Sequence, residues 1–369
     1  MNCRERLTAA VNFEEYDRPP FADNEWNEML AEMVPRLAGC QPRPDRRYSE
    51  AERAAAVRAS MDMIPWCHIY DHPRYPVLGD LPPSREGKRI VDEDGFVWVI
   101  YGFTEWVEQR PFSDLSGFLS YLDRKAERAR KEVPTLPPDF LERLRYARMM
   151  LGETAIAMPY LGAGLDDLYR LAGWDIFAQA VIEQPQAIAE YLDAVADRTV
   201  RVIHLYAEHL TAQECPVALG AYSDIAYNNG LLLSPRFLRF ALKPAVRKIV
   251  AAYHEHGIRV VYHSEGDMRE FLDDLIDAGV DGINPLSPSE NMDPVEIRRL
   301  YPNLILWGGI DERAVLAAGT PEDVKREVRR VVTGVGRGLI LGSSGGVHPA
   351  CPAENCIAMI EALHEMSPL

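Results

Sequence analysis

The chain has 369 residues, a formal net charge of −16, 47% hydrophobic and 26% charged residues, and six cysteines. That composition excludes a disordered chain, and the acid excess argues against partners that need a basic face, nucleic acid and anionic membrane alike. Scattered cysteines make no disulfide framework. No apolar run reaches the roughly 18 residues of a membrane span. The opening MNCRERLTAAVNFEEYDRPP has no signal-peptide apolar stretch, so a cytoplasmic enzyme is expected.

Taken in chain order, an early strand is expected near 19–23. A helix follows over 50–62 (EAERAAAVRASMD), where Ala and Arg favour it. A buried strand is read over 64–70, running into Asp71 and His72. The stretch 89–112 reads as a β-hairpin turning at Asp94-Gly95. After residue 150 the pattern becomes regular. Strand-like runs at 154–160, 216–222, 257–263, VDGINPL, NLILWGG and GLILGSS alternate with helices over 165–183, 185–211, 235–257, 321–333 and from about 352. Ser234-Pro235 and Thr320-Pro321 supply a cap followed by a first-turn proline. Short apolar strands alternating with helices imply parallel strands joined by crossover helices. The fold expected is an α/β (β/α)8 TIM barrel, one domain over 1–369, with an N-terminal helical and β-hairpin elaboration.

In such a barrel the chemistry sits where strands end. The residues that follow the strands are therefore the candidates: Asp71-His72, Asp166-Asp167 with Tyr169, Asp224, His263-Ser264-Glu265, Asp311-Glu312, and the run from Gly342 to His348. His263 and Glu265 are separated by one residue, so at the end of a strand they point the same way. An imidazole and a carboxylate so placed can hold a divalent metal or act as an acid/base pair. Cys351 and Cys356 lack the spacing of a structural zinc site.

Several segments together resemble the uroporphyrinogen decarboxylase superfamily, which includes corrinoid-dependent methyltransferases. They are LSPRFLRFALKPAVRKIVAAYHEHGIRVVYHSEG, LIDAGVDGINPL, GGIDERAVLAAGTPEDVKREVRRVV and GLILGSSGGVHPACPAENCIAMIEAL, with RERLTAAVNFEEYDRPPF and IVDEDGFVWV near the start. The true decarboxylases bind their polycarboxylate porphyrinogen with arginines after an N-terminal proline. Here that stretch is PPFADNEWNEML, with no arginine. Methyltransferase members use a zinc site with a His-x-Cys pair and a later Cys. Here Glu265 stands for the first Cys, and Gly345 corresponds to the second.

Ether-cleaving members carry a Glu-x14-Glu-x20-His zinc pattern, and Glu312, Glu327 and His348, fifteen and twenty-one residues apart, fit that spacing. The resemblance thus implies an O-demethylase component. It would move a methyl group from a methoxylated substrate to the Co(I) corrinoid of a separate corrinoid protein. Zinc would be held among His263, Glu265, Glu312, Glu327 and His348. Asp224, Tyr169 and Glu265 are the expected catalytic groups, and Asp71, Trp26 and Trp307 the expected substrate-binding groups. A homodimer is the default assembly. The alternatives are a decarboxylase or a catalytically silent barrel.

Overall fold

The computed structural model describes residues 1–23, 26–73, 75–101 and 104–366, and for 26–29 the backbone alone. Six parallel strands form the main sheet. In spatial order they are Leu161–Gly162, Val217–Tyr222, Arg259–His263, Gly282–Asn284, Ile305–Ile310 and Leu339–Ser343. Met63–Pro65 pairs in parallel with Ala155–Ala157. Pro159 has no N–H to give a ladder, and the run from 155 to 162 is split around it: its first part pairs with Met63–Pro65, its second with Val217–Tyr222.

The segment at Phe21 links the two groups of strands. Phe21 bridges Leu341 in parallel, and the Asp62 N–H donates to the Phe21 carbonyl at 2.8 Å. The α/β fold with parallel strands is thereby established. Its helices follow the strands as the alternation of the sequence requires, and many begin at the expected caps. The Ser234 hydroxyl accepts from the Phe237 N–H, and Thr320 and Asp323 form a reciprocal capping box.

Alternation along the strands separates two apolar layers. Ala22, Met63, Ala155, Val217, Val261, Ile305, Trp307 and Ile340 form an inner cluster with Leu7 and Val11 of the helix Cys3–Val11. Their neighbours Ile64, Ile156, Ala218, Val260, Leu306 and Leu339 face the helices in the larger cluster. Val324, Val328, Val331, Val332 and Val335 line the buried side of the helix Pro321–Val335.

The structure corrects several element boundaries. The strand expected over 64–70 stops at Pro65, and Trp66–Ile69 is a helical turn. The helix expected over 235–257 is two, Pro235–Ala241 and Lys243–Glu255. Pro244, lacking an N–H, cannot continue the first into the second. The helix expected over 165–183 breaks at Gly173, whose φ of +78° suits glycine. The hairpin turns at Asp94-Gly95 as expected but belongs to a three-stranded antiparallel meander, Arg89–Val91, Val97–Tyr101 and Thr104–Gln109. Asp92 shapes that turn by accepting from the N–H groups of Asp94 and Phe96 and from Trp98 Nε1. No helix among the described residues is long and apolar enough to cross a membrane.

Asp62 is fully buried and accepts from Arg6 Nη1 at 2.5 Å, Arg18 Nη1 at 2.7 Å and the Phe21 N–H at 2.8 Å. Removing one partner of a buried ion pair strands the others. Asp62→Ala is therefore expected to lower the unfolding free energy by about 3–5 kcal/mol, measured by urea denaturation. A loss below about 1 kcal/mol, the range of an exposed pair, would remove Asp62 from this role.

Candidate active site

His263 is the last residue of its strand, as Asn284 is of the neighbouring one, and the two are register partners. The contact between His263 Nδ1 and Asn284 Oδ1 is 2.7 Å, while Asn284 Nδ2 donates to the Trp307 carbonyl at 3.3 Å. The amide is thus oriented from behind, and it fixes the imidazole. Nε2 lies 3.8 Å from Asp224 Oδ1 and 3.9 Å from Glu265 Oε1. The same Asp224 oxygen accepts the Glu265 N–H at 2.9 Å. The strand ends after Tyr222 and after His263 are locked together through one carboxylate.

Glu312 closes the other side. It opens the π-helical turn Glu312–Ala317, which Asp311 caps by accepting the N–H groups of Arg313 and Ala314. π-turns recur at functional sites. The Glu312 carboxylate takes a hydrogen bond from the Ser344 hydroxyl, and Ser344 Oγ accepts the Glu312 N–H at 3.0 Å. Gly345 lies beneath both glutamates. A Cβ there would stand 3.3 Å from both Glu265 carboxylate oxygens and 3.5 Å from Glu312 Cδ. Glycine at 345 thus leaves the space that the two carboxylates share.

On the third side stand Tyr169, Asp166 and Ser223. The Tyr169 hydroxyl donates to the Asp224 carbonyl at 3.1 Å, and its ring stacks on Trp174 at 4.6 Å. Burial pushes its pKa up. Tyr169 therefore shapes the Asp224 loop, and its proton is committed to that bond. Tyr262 donates to the Ser223 carbonyl at 2.9 Å, and Ser223 Oγ accepts the Leu165 N–H at 3.2 Å. Asp166, in the first turn of the helix Leu165–Ala172, has an Oδ1 closed off from solvent with no hydrogen-bond partner among the described residues. Burial, with the charges of Asp167 and Asp224 adding to it, pushes the Asp166 carboxyl up to about 7.

The structure thus gathers His263, Glu265, Asp224, Tyr169 and Glu312, and it separates the rest. Asp71 is exposed and faces Arg143 at 3.5 Å. Trp307 is buried in the inner cluster, its Nε1 donating to the Ala22 carbonyl at 2.8 Å. The Trp26 side chain lies outside the described residues. Glu327 is not drawn to the strand ends: it forms a salt bridge with Arg330 at 2.8 Å, one turn along its own helix. The His348 Nδ1 accepts the Ala350 N–H at 3.3 Å within its own loop. Among the described residues no three His, Cys, Asp or Glu side chains converge to hold a metal ion. These residues do not fit the five-ligand zinc set.

Sequence reasoning missed Asn284, Glu290 and Arg313 and assigned no role to Asp166. Asn284 carried a signal, since it too ends a strand. Glu290 carried none, because it comes from a short 3-10 turn, Pro288–Glu290, within a loop.

Residues 136–366 match the family model described as uroporphyrinogen decarboxylase (URO-D). The uroporphyrinogen decarboxylase of Alkalilimnicola ehrlichii is 28% identical over 193 residues, which are 50% of this chain and 49% of that protein. The methylcobamide:CoM methyltransferase MtbA of Methanosarcina acetivorans is 34% identical over 123 residues, 33% of this chain and 34% of that one. The chain spans about half the length, or less, of the curated relatives it matches. A solved methyltransferase from Methanosarcina mazei covers 99% of each chain with a TM-score of 0.63 at 18% identity, a likeness of fold.

The raised Asp166 carboxyl makes stability depend on pH. Its folded value of about 7 stands above the ordinary 3.8. Between those values the folded chain holds a proton that the unfolded chain has lost. Stability from this group is therefore full below the unfolded value and falls as pH rises toward 7, by about 1.4 kcal/mol per unit at most. Asp166→Asn is expected to raise the melting temperature at pH 8, with the gain shrinking toward zero near pH 4. Thermal melts across that range check it, and a gain independent of pH would contradict it.

Proposed function

The chain belongs to the uroporphyrinogen decarboxylase family, and from that premise we propose that it transfers a methyl group from a methoxylated aromatic substrate to a corrinoid carried by a separate protein. One observation carries this reading: the charge of the strand-end site. The carboxylates of Asp224 and Glu265 stand near His263 Nε2, and Glu312 shares the space above Gly345 with Glu265, with Arg313 Nε 3.4 Å from Glu312. Such a field repels a polycarboxylate porphyrinogen. It tolerates a neutral ether. The absence of arginine from residues 19–30 points the same way. The strand set is read as a closed (β/α)8 barrel, supported by the hydrogen bonds that join Phe21 to Leu341 on one side and to Asp62 on the other.

Breaking a methyl–oxygen bond leaves the electron pair on the ether oxygen, which must be stabilised or protonated. His263, oriented by Asn284 with Nε2 toward two carboxylates, is the group assigned to hand over that proton. Asp224 and Tyr169 hold the loops that carry the site. Glu265 and Glu312 form the wall over Gly345 and exclude other anions. The corrinoid, when present, supplies the Co(I) nucleophile that no side chain offers. Zinc stays outside this reading, because the donors expected to hold it are dispersed.

Decarboxylation is the second reading, favoured by the names of the curated relatives. The deciding experiment mixes the protein with an uncharged methoxylated aromatic and either a reduced corrinoid protein or free cob(I)alamin, and follows the cobalt spectrum. Methylated cobalt is expected to accumulate. His263→Ala is expected to slow it by about 10²-fold or more, the worth of a positioned acid. Porphyrinogen turnover without methyl transfer would establish decarboxylation instead.

A further inference from the structure

We propose that Arg313 is a positioning residue that sets the separation of the Glu265 and Glu312 carboxylates across the strand-end site. The inference rests on reading that site as the active site. Arg313 makes two carboxylate contacts. Its Nη2 lies 2.6 Å from Glu290 Oε1, and its Nε lies 3.4 Å from Glu312 Oε1. Glu290 is buried, 7% exposed, although no secondary-structure ladder holds it. Its other oxygen, Oε2, accepts the Gly266 N–H at 3.0 Å.

Gly266 follows Glu265 directly. Its φ is +86°, and a Cβ there would strike the backbone of Ala226 and Tyr227 at 2.6–2.7 Å. Only glycine fits there, and Glu290 holds the peptide after Glu265. The peptide before Glu265 is held by Asp224. Glu265 is thus pinned on both sides, on one by a buried carboxylate whose charge Arg313 balances.

The same guanidinium reaches Glu312, whose far oxygen is tied to Ser344. Arg313 is therefore the joint between the loop that follows His263, the turn at Glu290 and the π-turn at Glu312. Two carboxylates sharing the space above Gly345 repel each other. Arg313 offsets the Glu312 charge directly and acts on Glu265 through Glu290 and the Gly266 peptide, so it sets the distance between the two. Without it Glu290 becomes an unbalanced buried charge, and the Gly266 peptide loses its anchor.

The test compares Arg313→Gln and Arg313→Lys in the full chain. Methyl transfer is expected to fall in kcat by roughly 10- to 100-fold in the Gln variant, the cost of displacing reacting groups by about 1 Å. The Lys variant, which keeps the charge, is expected to recover most of that loss. The melting temperature is expected to fall in Arg313→Gln, where buried Glu290 loses its counter-charge, and to stay closer to the parent in Arg313→Lys. Crystal structures give the readout that does not need activity. In Arg313→Gln the Glu265 and Glu312 carboxylates are expected to shift by more than about 0.5 Å, and in Arg313→Lys to stay.

Unchanged turnover, unmoved carboxylates or a Lys variant no better than Gln each overturns the proposal. If the parent transfers no methyl group, the functional reading fails and the crystal structures alone decide this one. If Arg313→Gln does not fold, Glu290→Ala takes its place with the same expectation for the carboxylates, because it removes the acceptor through which Arg313 holds the Gly266 peptide.

Discussion

The Asp62 carboxylate is the constraint on which the rest of the structure depends. It lies at the start of one strand, collects two guanidiniums from the N-terminal segment, and takes the N–H of Phe21. Its own N–H returns to the Phe21 carbonyl, and its carbonyl accepts the Ala155 N–H. One residue therefore fixes the N-terminal segment between the last strand and the early pair. That placement continues outward. Ala22 N–H donates to Leu341, Trp307 Nε1 donates to Ala22, and the Ser343 N–H donates to Asp23 Oδ2. Ser343 precedes Ser344 and Gly345, so the side of the site that carries Glu312 is held in place by the segment that Asp62 anchors. A buried carboxylate with three charged or polar donors tolerates its loss of hydration because each lone pair has a partner.

The site itself shows how a set of parallel strand ends concentrates charge without unfolding. Its carboxylates do not rely on solvent. Asp224 takes the Glu265 N–H, Glu290 takes the Gly266 N–H, Glu312 takes the Ser344 hydroxyl, and Asp311 takes two N–H groups of the π-turn. Each negative charge is used to orient a loop, so the acidity that defines the site also builds it. Asp166 is the exception. Its Oδ1 has no such donor among the described residues, and burial moves its proton affinity toward neutrality.

Much of the fold was legible because its signals are local. Short apolar runs marked the later strands, capping residues marked helix starts, and Asp94-Gly95 marked a turn. The failures were local too. Pro244 and Gly173 each break a run that reads as one helix. The apolar stretch after Ile64 reads as strand but folds into a helical turn, since periodicity alone cannot separate short apolar strands from buried helical segments. In the site, His263, Glu265, Asp224 and Glu312 were legible from their place after strands. Glu327 was drawn in by interval alone, and an interval does not say which face of a helix a residue occupies. Arg330, three residues on, decides that.

The sequence by itself determined the alternation of strand and helix, the strand-end place of the candidate residues and their acid character. All three depend on residue type and short-range order. Tertiary structure alone decided which strand ends meet, because that depends on register between strands far apart in the chain. It brought Asn284 to His263, Glu290 to Gly266 and Gly345 beneath two glutamates. It also sent Asp71 to the surface and Trp307 into the inner core. Hydrogen bonds that span twenty to three hundred residues set those distances, and no local pattern records them.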